Sequence, residues 1–380
     1  MKAYQLNIPT KVYFGRDILK EVISEQQETI KGTVLIVTTG RSLVRLGHLE
    51  RLKEMISDLP HVRRIIIFDE ISANPRLSEV EKGTQLGKQE SVDVLIGFGG
   101  GSAIDAAKAI AVGIGHDERI GEFFYNHKEP TGRTLPIVAI PTTSGTGSEL
   151  SKAAIITDDE KKVKGGIRGT ALYPQLAIVD SQLTETVPFK ITMETGFDVL
   201  AHAIESYISK AATPYTEMQS EYAIQIVGKY LPRMARNLED VEAREKMSFA
   251  SMIMGINLGN ASTCLPHRMQ YPIGAHTDTS HGQGLAALFP AWVHYECKYS
   301  GDKLKKVMDI LTDTDCRNEA DMVEVMNRFI SDLGLPLSLR EIGITESMIE
   351  QMADEVTGNI QNDPASQEKE IIKEIYYKAF

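Results

Sequence analysis

An α/β domain on a doubly wound parallel sheet, followed by an all-helical domain, is the fold class this sequence predicts. Two observations carry it. In residues 1–187, short apolar runs rich in β-branched residues alternate with helical patterns, the order expected of a parallel sheet covered on both faces. Over residues 188–380 the strand-like runs stop and helical periodicity alone continues. At 380 residues the chain is long enough for two such domains, each with its own core.

In the first domain, residues 33–38 (Thr-Val-Leu-Ile-Val-Thr) read as a buried strand closed by Thr39 and Gly40. Residues 46–59 then carry Leu49, Leu52, Met55, Ile56 and Leu59 at helical spacing. Strands follow at 64–69 and 92–98, with a polar-faced helix at 77–90 between them. Gly99, Gly100, Gly101 and Ser102 come next, then an alanine-rich helix over 103–112. A fourth strand at 136–140 runs into Pro-Thr-Thr-Ser-Gly-Thr-Gly-Ser-Glu (141–149), and 176–180 is one more strand. In the second domain the periodicity predicts helices at 192–209, 214–231, 239–258, 302–311, 318–333, 345–354 and 365–379. No repeat and no low-complexity segment interrupts this order.

Apolar content of 42% and charged content of 24% are those of an ordinary globular protein, and a formal charge of -11 argues against nucleic acid or an anionic membrane as main partner. Cys264, Cys297 and Cys316 have no framework spacing, which suits a reducing compartment. The opening residues lack an apolar signal-type run, and no stretch approaches the ~18 apolar residues of a membrane helix. The expectation is a cytoplasmic protein without membrane partners.

Three glycines and a serine between a buried strand and a helix suit a pyrophosphate. The glycine backbone can approach the oxygens, and the helix directs its free N–H groups and positive dipole end at them. A glycine run alone is equally the mark of a ligand-free turn. The second loop, with Thr142, Thr143, Ser144 and Thr146, follows another parallel strand and brings hydroxyls to the same carboxyl edge, where open α/β sheets bind ligands. A nicotinamide dinucleotide fits this pair of turns, although Gly-x-Gly-x-x-Gly is not intact. No carboxylate closes the strand at Thr39, and Arg41 follows two residues on; between NAD and NADP this leans toward NADP.

Asp198 and His202, four residues apart on a predicted helix, leave one face about a turn apart and make half of a metal site. Such a pair is common by chance, as a capping or solvated pair. A second segment, running from His267 through Ser280-His281-Gly282, offers two more imidazoles. One carboxylate with three imidazoles suits Fe(II), Zn(II) or a similar borderline ion. Beside a nicotinamide, such an ion acts as a Lewis acid on an alcohol or aldehyde oxygen, and the space between the two domains is the expected place for it.

These residues together resemble the iron-containing (group III) alcohol dehydrogenases. The resemblance rests on Gly99 to Ser102 with Asp105 and Lys108, on 141–149, on Gly196-Phe197-Asp198-x-x-x-His202-Ala203-x-Glu205, and on the His267 to Gly282 segment. It extends from Lys-Val-Tyr-Phe-Gly at 11–15 to Asn-Ile-Gln-Asn-Asp-Pro at 359–364. It implies the dehydroquinate synthase-like fold of that family: a Rossmann-like dinucleotide-binding domain (1–187) and a helical metal-binding and catalytic domain (188–380). It implies a divalent ion on Asp198, His202, His267 and His281. It also implies cofactor contacts from Gly99, Gly100, Gly101, Ser102, Thr142, Thr143, Thr146, Lys164 and Leu183, with Thr39 and Asp105 as further candidates. The implied substrate is a primary alcohol, aldehyde or small polyol, and the implied assembly a homodimer or larger homo-oligomer.

The sequence departs from the family at one position. The second histidine usually found four residues after the first is Tyr271 here, and His276 stands at a position the family does not normally fill with histidine. A tyrosine hydroxyl donates or relays a proton, but an unperturbed pKa of about 10 makes it a poor base near neutrality. Arg268, beside His267, can pair with a substrate carboxylate or phosphonate or with a neighbouring helix. Tyr271, His276 and Arg268 are therefore the candidates for the proton path and substrate contacts. Three classes compete: the nicotinamide-dependent dehydrogenase; a same-fold enzyme acting on an acidic substrate, with a non-nicotinamide acceptor or as a cyclising lyase; and a binding protein that kept the fold. The intact ligand set favours an enzyme.

Overall fold

The computed structural model describes residues 3–40, 42–365 and 369–380. The chain divides into two compact units, one comprising Ile8–Thr143 with Gly147–Thr186, the other Met1–Asn7, Ser144–Thr146 and Val187–Phe380.

The first unit is built on strands β1 (Lys11–Gly15), β2 (Gly32–Thr39), β3 (Val62–Ile71), β4 (Val94–Gly99), β5 (Ile137–Pro141) and β8 (Leu176–Asp180), paired in the order β1-β8-β5-β4-β2-β3. All five pairings are parallel. An antiparallel hairpin of β6 (Ala153–Asp158) and β7 (Val163–Arg168) stands apart from this sheet. The helices are α1 (Leu19–Glu25), the short α2 (Ser42–Arg45), α3 (His48–Ser57), α4 (Leu77–Gln89), α5 (Gly101–Gly115) and α6 (Ile120–Tyr125). Alternate strand residues feed two cores. Val34, Ile36, Ile96, Phe98, Val138 and Ile178 pack with α1 and α3, whereas Leu35, Val37, Leu95 and Ile137 pack with α4, α5 and α6. Both faces are thus covered, as strands apolar on both sides require.

The chain leaves β2 for one face and β4 for the other, and these two strands are neighbours. Their carboxyl ends form the topological switch point, the usual ligand position of an open α/β sheet.

The second unit holds α7 (Phe189–Ile208), α8 (Pro214–Arg236), α9 (Val241–Asn260), α10 (Leu265–Thr277), α11 (His281–Thr312), α12 (Glu319–Asp332), α13 (Glu346–Glu355) and α14 (Lys369–Ala379). Polar residues stop several of them at the amino end: the Thr213 hydroxyl accepts the Thr216 amide, Asp240 accepts that of Ala243, and Asn318 that of Asp321. α11 bends at Ser300, whose φ/ψ of -132°/29° is not helical. That bend is why the sequence pattern shows only its second half, 302–311. α10 is concealed in the sequence by Pro266 and Pro272, β1 by its half-exposed place at the sheet edge, and β7 by Gly165 and Gly166. Arg41, on which the NADP expectation rested, and 366–368 of the helix expected at 365–379 lie outside the described residues. Among the described residues no helix is long and apolar enough to cross a membrane.

Candidate metal centre

Asp198 and His202 leave α7 on one buried face, and Glu205 continues the same stripe. His267 lies in the first turn of α10, whose amino end has no side-chain cap of its own. Two buried carboxylates replace it. Glu205 Oε2 accepts the Cys264 amide at 2.7 Å, and Asp363 Oδ2 accepts that of Leu265 at 2.9 Å and the Trp292 indole N–H at 3.0 Å. His281 opens α11, and the next residue explains how it arrives: a Cβ on Gly282 would lie 2.2 Å from the Glu194 carbonyl oxygen of α7. Only glycine lets these backbones approach so closely.

Asp198 Oδ1 consequently faces three imidazoles, at 3.7 Å from His202 Nε2, 3.5 Å from His267 Nε2 and 3.6 Å from His281 Nε2. The ligand atoms of Asp198, His267 and His281 all lie within 4.8 Å of one another. The His202 and His267 rings stack with centroids 4.4 Å apart. Asp198 Oδ1 and His267 Nε2 are buried without a hydrogen-bond partner. Two orphaned buried atoms, Asp198 Oδ1 and His267 Nε2, in a cluster of one carboxylate and three imidazoles fit a divalent cation. The outer nitrogens are held as ligands require: His267 Nδ1 meets Glu205 Oε1 at 2.5 Å, and His281 Nδ1 meets Gln270 Oε1.

Without an ion the charges settle among these groups. Burial pushes the His202 imidazole down to about 4. Burial also opposes charge on His267, but the Glu205 and Asp198 carboxylates outweigh it and push its pKa up to about 10. Burial likewise works against the Asp198 carboxylate, yet the facing imidazoles hold it below the usual carboxylate range. Glu205, Gln270 and Asp363 are the residues to which sequence reasoning assigned no role. The signal for Glu205 was present: it is seven residues after Asp198, on the same helical face.

Of the other candidates, Tyr271 is buried on α10 one turn beyond His267, and its hydroxyl accepts a hydrogen bond from Arg268 Nη1 at 3.1 Å. His276 is not brought to the cluster. It is nine residues beyond His267, roughly 14 Å along the helix axis, and its Nε2 is 2.6 Å from Glu355 Oε2.

In the sheet unit, Gly99 has φ +150°, and a Cβ there would lie 2.9 Å from that of Ala103. Thr39 stands beside it, the Thr142 amide donates to the Gly99 carbonyl at 2.9 Å, and Thr143 rests against Gly100. Gly101 opens α5. The Ser102 hydroxyl donates to the Ala73 carbonyl, and Lys164 Nζ donates to Asn74 Oδ1 at 2.9 Å, so both converge on the segment after β3. Leu183 is buried in the core shared with α1 and α3. Asp105 spends both oxygens inside the protein, on the Ser148 hydroxyl and on the Ile155 amide at 2.9 Å. Thr146 clusters with the helical unit.

Comparison with known proteins gives the family. The model for iron-containing alcohol dehydrogenase matches residues 9–181, and that for the C-terminal region of the Fe-containing alcohol dehydrogenase family matches 192–380. The chain belongs to the iron-containing alcohol dehydrogenase family. As a member it is an NAD(P)-dependent oxidoreductase of the alcohol dehydrogenase class, on the α/β-plus-helical fold the sequence predicts. Choline dehydrogenase of Bacillus subtilis is 30% identical to it, over 100% of this chain and 96% of that one. A solved archaeal halo-thermophilic alcohol dehydrogenase from a Red Sea brine pool superposes with TM-score 0.94 at 29% identity, covering 100% of both chains. Sulfoacetaldehyde reductase from Bifidobacterium kashiwanohense, solved with NAD+, gives TM-score 0.87 at 26% identity, covering 100% of this chain and 99% of that one.

Proposed function

We propose that Asp198, His202, His267 and His281 hold one divalent ion, Fe(II) or in its place Zn(II), and that the enzyme moves hydride between NAD or NADP and a primary alcohol or aldehyde. The single observation that carries this is the convergence of three imidazoles on Asp198 Oδ1, with buried ligand atoms left unpaired. When bound, the ion supplies Lewis-acid stabilisation of negative charge on the substrate oxygen.

The residues of the chain prepare that chemistry. Glu205 and Gln270 accept from the Nδ1 atoms of His267 and His281, which makes each Nε2 the ligand atom. Tyr271, on the His267 side of α10, is the candidate to pass the hydroxyl proton toward solvent. At the sheet, the φ of Gly99 and the bare Cα atoms of Gly100 and Gly101 let a pyrophosphate approach the amino end of α5, with Thr39, Thr142 and Thr143 around it. Asp105 reads better as a brace for β6 than as a cofactor contact, since both its oxygens are already engaged. Held by these residues, a nicotinamide would supply the hydride acceptor for alcohol oxidation, or the hydride donor for aldehyde reduction.

The relatives leave the substrate's charge open: choline carries a quaternary ammonium and sulfoacetaldehyde a sulfonate. This chain's own residues must therefore decide it. The function is tested by reconstituting the purified protein with Fe(II) or Zn(II) and following reduced-nicotinamide absorbance against alcohols and aldehydes with both cofactors. Turnover that disappears on chelation is expected. The absence of any signal across all pairs sinks the reading.

A further inference from the structure

Among the described residues, no carboxylate forms an ion pair with Arg268. Its side chain follows His267 on α10 and is 5% exposed. Its Nε has no hydrogen-bond partner. Its Nη1 donates to the neutral Tyr271 hydroxyl, and the guanidinium carbon lies 5.6 Å from that ring's centroid. Gly358, at φ +92°, lies against its stem: a Cβ there would be 3.4 Å from Arg268 Cδ.

Other buried cations are treated differently. Lys108 Nζ donates to oxygens of Ser148, Ser151 and Ala153, with Asp105 at 3.8 Å. Arg244 donates to the Leu238 and Val187 carbonyls and the Thr192 hydroxyl. A guanidinium stays charged throughout the working pH range, and burying an ion without a counter-charge is strongly unfavourable. Packing on Tyr271 alone would be served as well by an apolar side chain. A buried cation whose Nε has no partner, one residue along α10 from His267, is what an anionic ligand requires, and the planar guanidinium binds carboxylate, sulfonate and phosphonate oxygens in pairs.

We propose that Arg268, with the Tyr271 hydroxyl beside it, is the anion subsite of the substrate, so that the preferred substrate is a short alcohol or aldehyde bearing a carboxylate, sulfonate or phosphonate. This rests on the alcohol dehydrogenase reading above and names its substrate class. Arg268 directly follows His267 on α10, so the acid group and the reacting oxygen belong to one short substrate, an acid two or three carbons long. The acid group takes no part in the redox step. Its contacts set orientation and affinity.

The test uses the full-length, metal-loaded protein with both cofactors and matched substrates: 3-hydroxypropanoate against 1-propanol, and 2-hydroxyethanesulfonate and 2-hydroxyethylphosphonate against ethanol. In the wild type kcat/KM is expected to favour the acids by about 10-fold or more, and Arg268→Gln to lower that preference by about 10- to 100-fold, the size of a lost charge-assisted pair. Arg268→Lys should retain part of it. Calorimetric titration with ethanesulfonate, which cannot turn over, should show binding that weakens by at least about 10-fold in Arg268→Gln, and metal content measured on the same samples separates a lost anion site from a lost ligand. If Arg268→Gln does not fold, the wild-type preference and the titration decide. Equal kcat/KM for acids and uncharged partners, or a preference unchanged by Arg268→Gln, overturns the inference. Absence of turnover with every pair overturns the dehydrogenase reading instead, and ethanesulfonate binding then still reports on Arg268.

Discussion

Glu205 does two things with one carboxylate: Oε1 holds the His267 imidazole and Oε2 caps the helix that carries it. Glu205→Gln should therefore weaken metal binding by about 10- to 100-fold, measured by competition with a chelating dye. The same change should lower thermal stability, because Cys264 N–H loses a charged acceptor. Glu149 gives a residue-scale pH dependence. Burial pushes its carboxyl from 4.5 up to about 7. Between those values the folded state holds a proton that the unfolded state has released, so this group's contribution to stability falls as pH rises from about 4.5 to 7. Glu149→Gln should flatten that slope, by on the order of 1–3 kcal/mol between about pH 5 and 7.5 in denaturant titrations. At this scale the pairing of Asp198 and His202 was legible because they share a helical face. Glu205 sat in the same stripe, but its role depends on a helix that begins far along the chain, at Leu265, which spacing cannot show.

At the scale of the element, two close contacts hold segments in place. Gly282→Ala places a methyl 2.2 Å from the Glu194 carbonyl oxygen, so α11 must retreat from α7 and carry His281 with it. The variant should fold yet purify with most of its metal missing, which elemental analysis reads directly. Lys108→Met would strip the Ser148, Ser151 and Ala153 carbonyls of their donor inside a closed core. A loss of about 3 kcal/mol or more is expected in chemical unfolding. The strands of the sheet were legible because runs apolar on both faces have few other uses. α10 was not, because prolines at 266 and 272 mimic a loop, although Pro266 occupies the first turn, where a missing amide costs nothing.

For the whole molecule, the sequence pattern changes from alternating strand and helix to helix alone near residue 188, and the two compact units divide in sequence between Thr186 and Val187. Composition did not reveal that residues 144–146 cluster with the helices, because the assignment follows from Gly145 resting on Thr195, a contact distant in sequence. Ligand and cofactor should act on different amides. Added metal should slow hydrogen exchange in α7, α10 and the first turns of α11, and NAD(P) should slow it at Gly99–Ser102. Protection by metal confined to the sheet unit would contradict the proposed ligand set.

Asp363 gives this arrangement a direction in time. Its carboxylate holds the amino end of α10 and the Trp292 indole, yet it stands 98 residues beyond Leu265 in sequence. During synthesis the sheet unit's strands are all available once Asp180 has emerged, whereas the support under His267 must wait for Asp363. The proposed metal site is therefore complete only after Asp363 has emerged, and a ribosome-bound intermediate stalled before it should expose His267 on an unanchored helix.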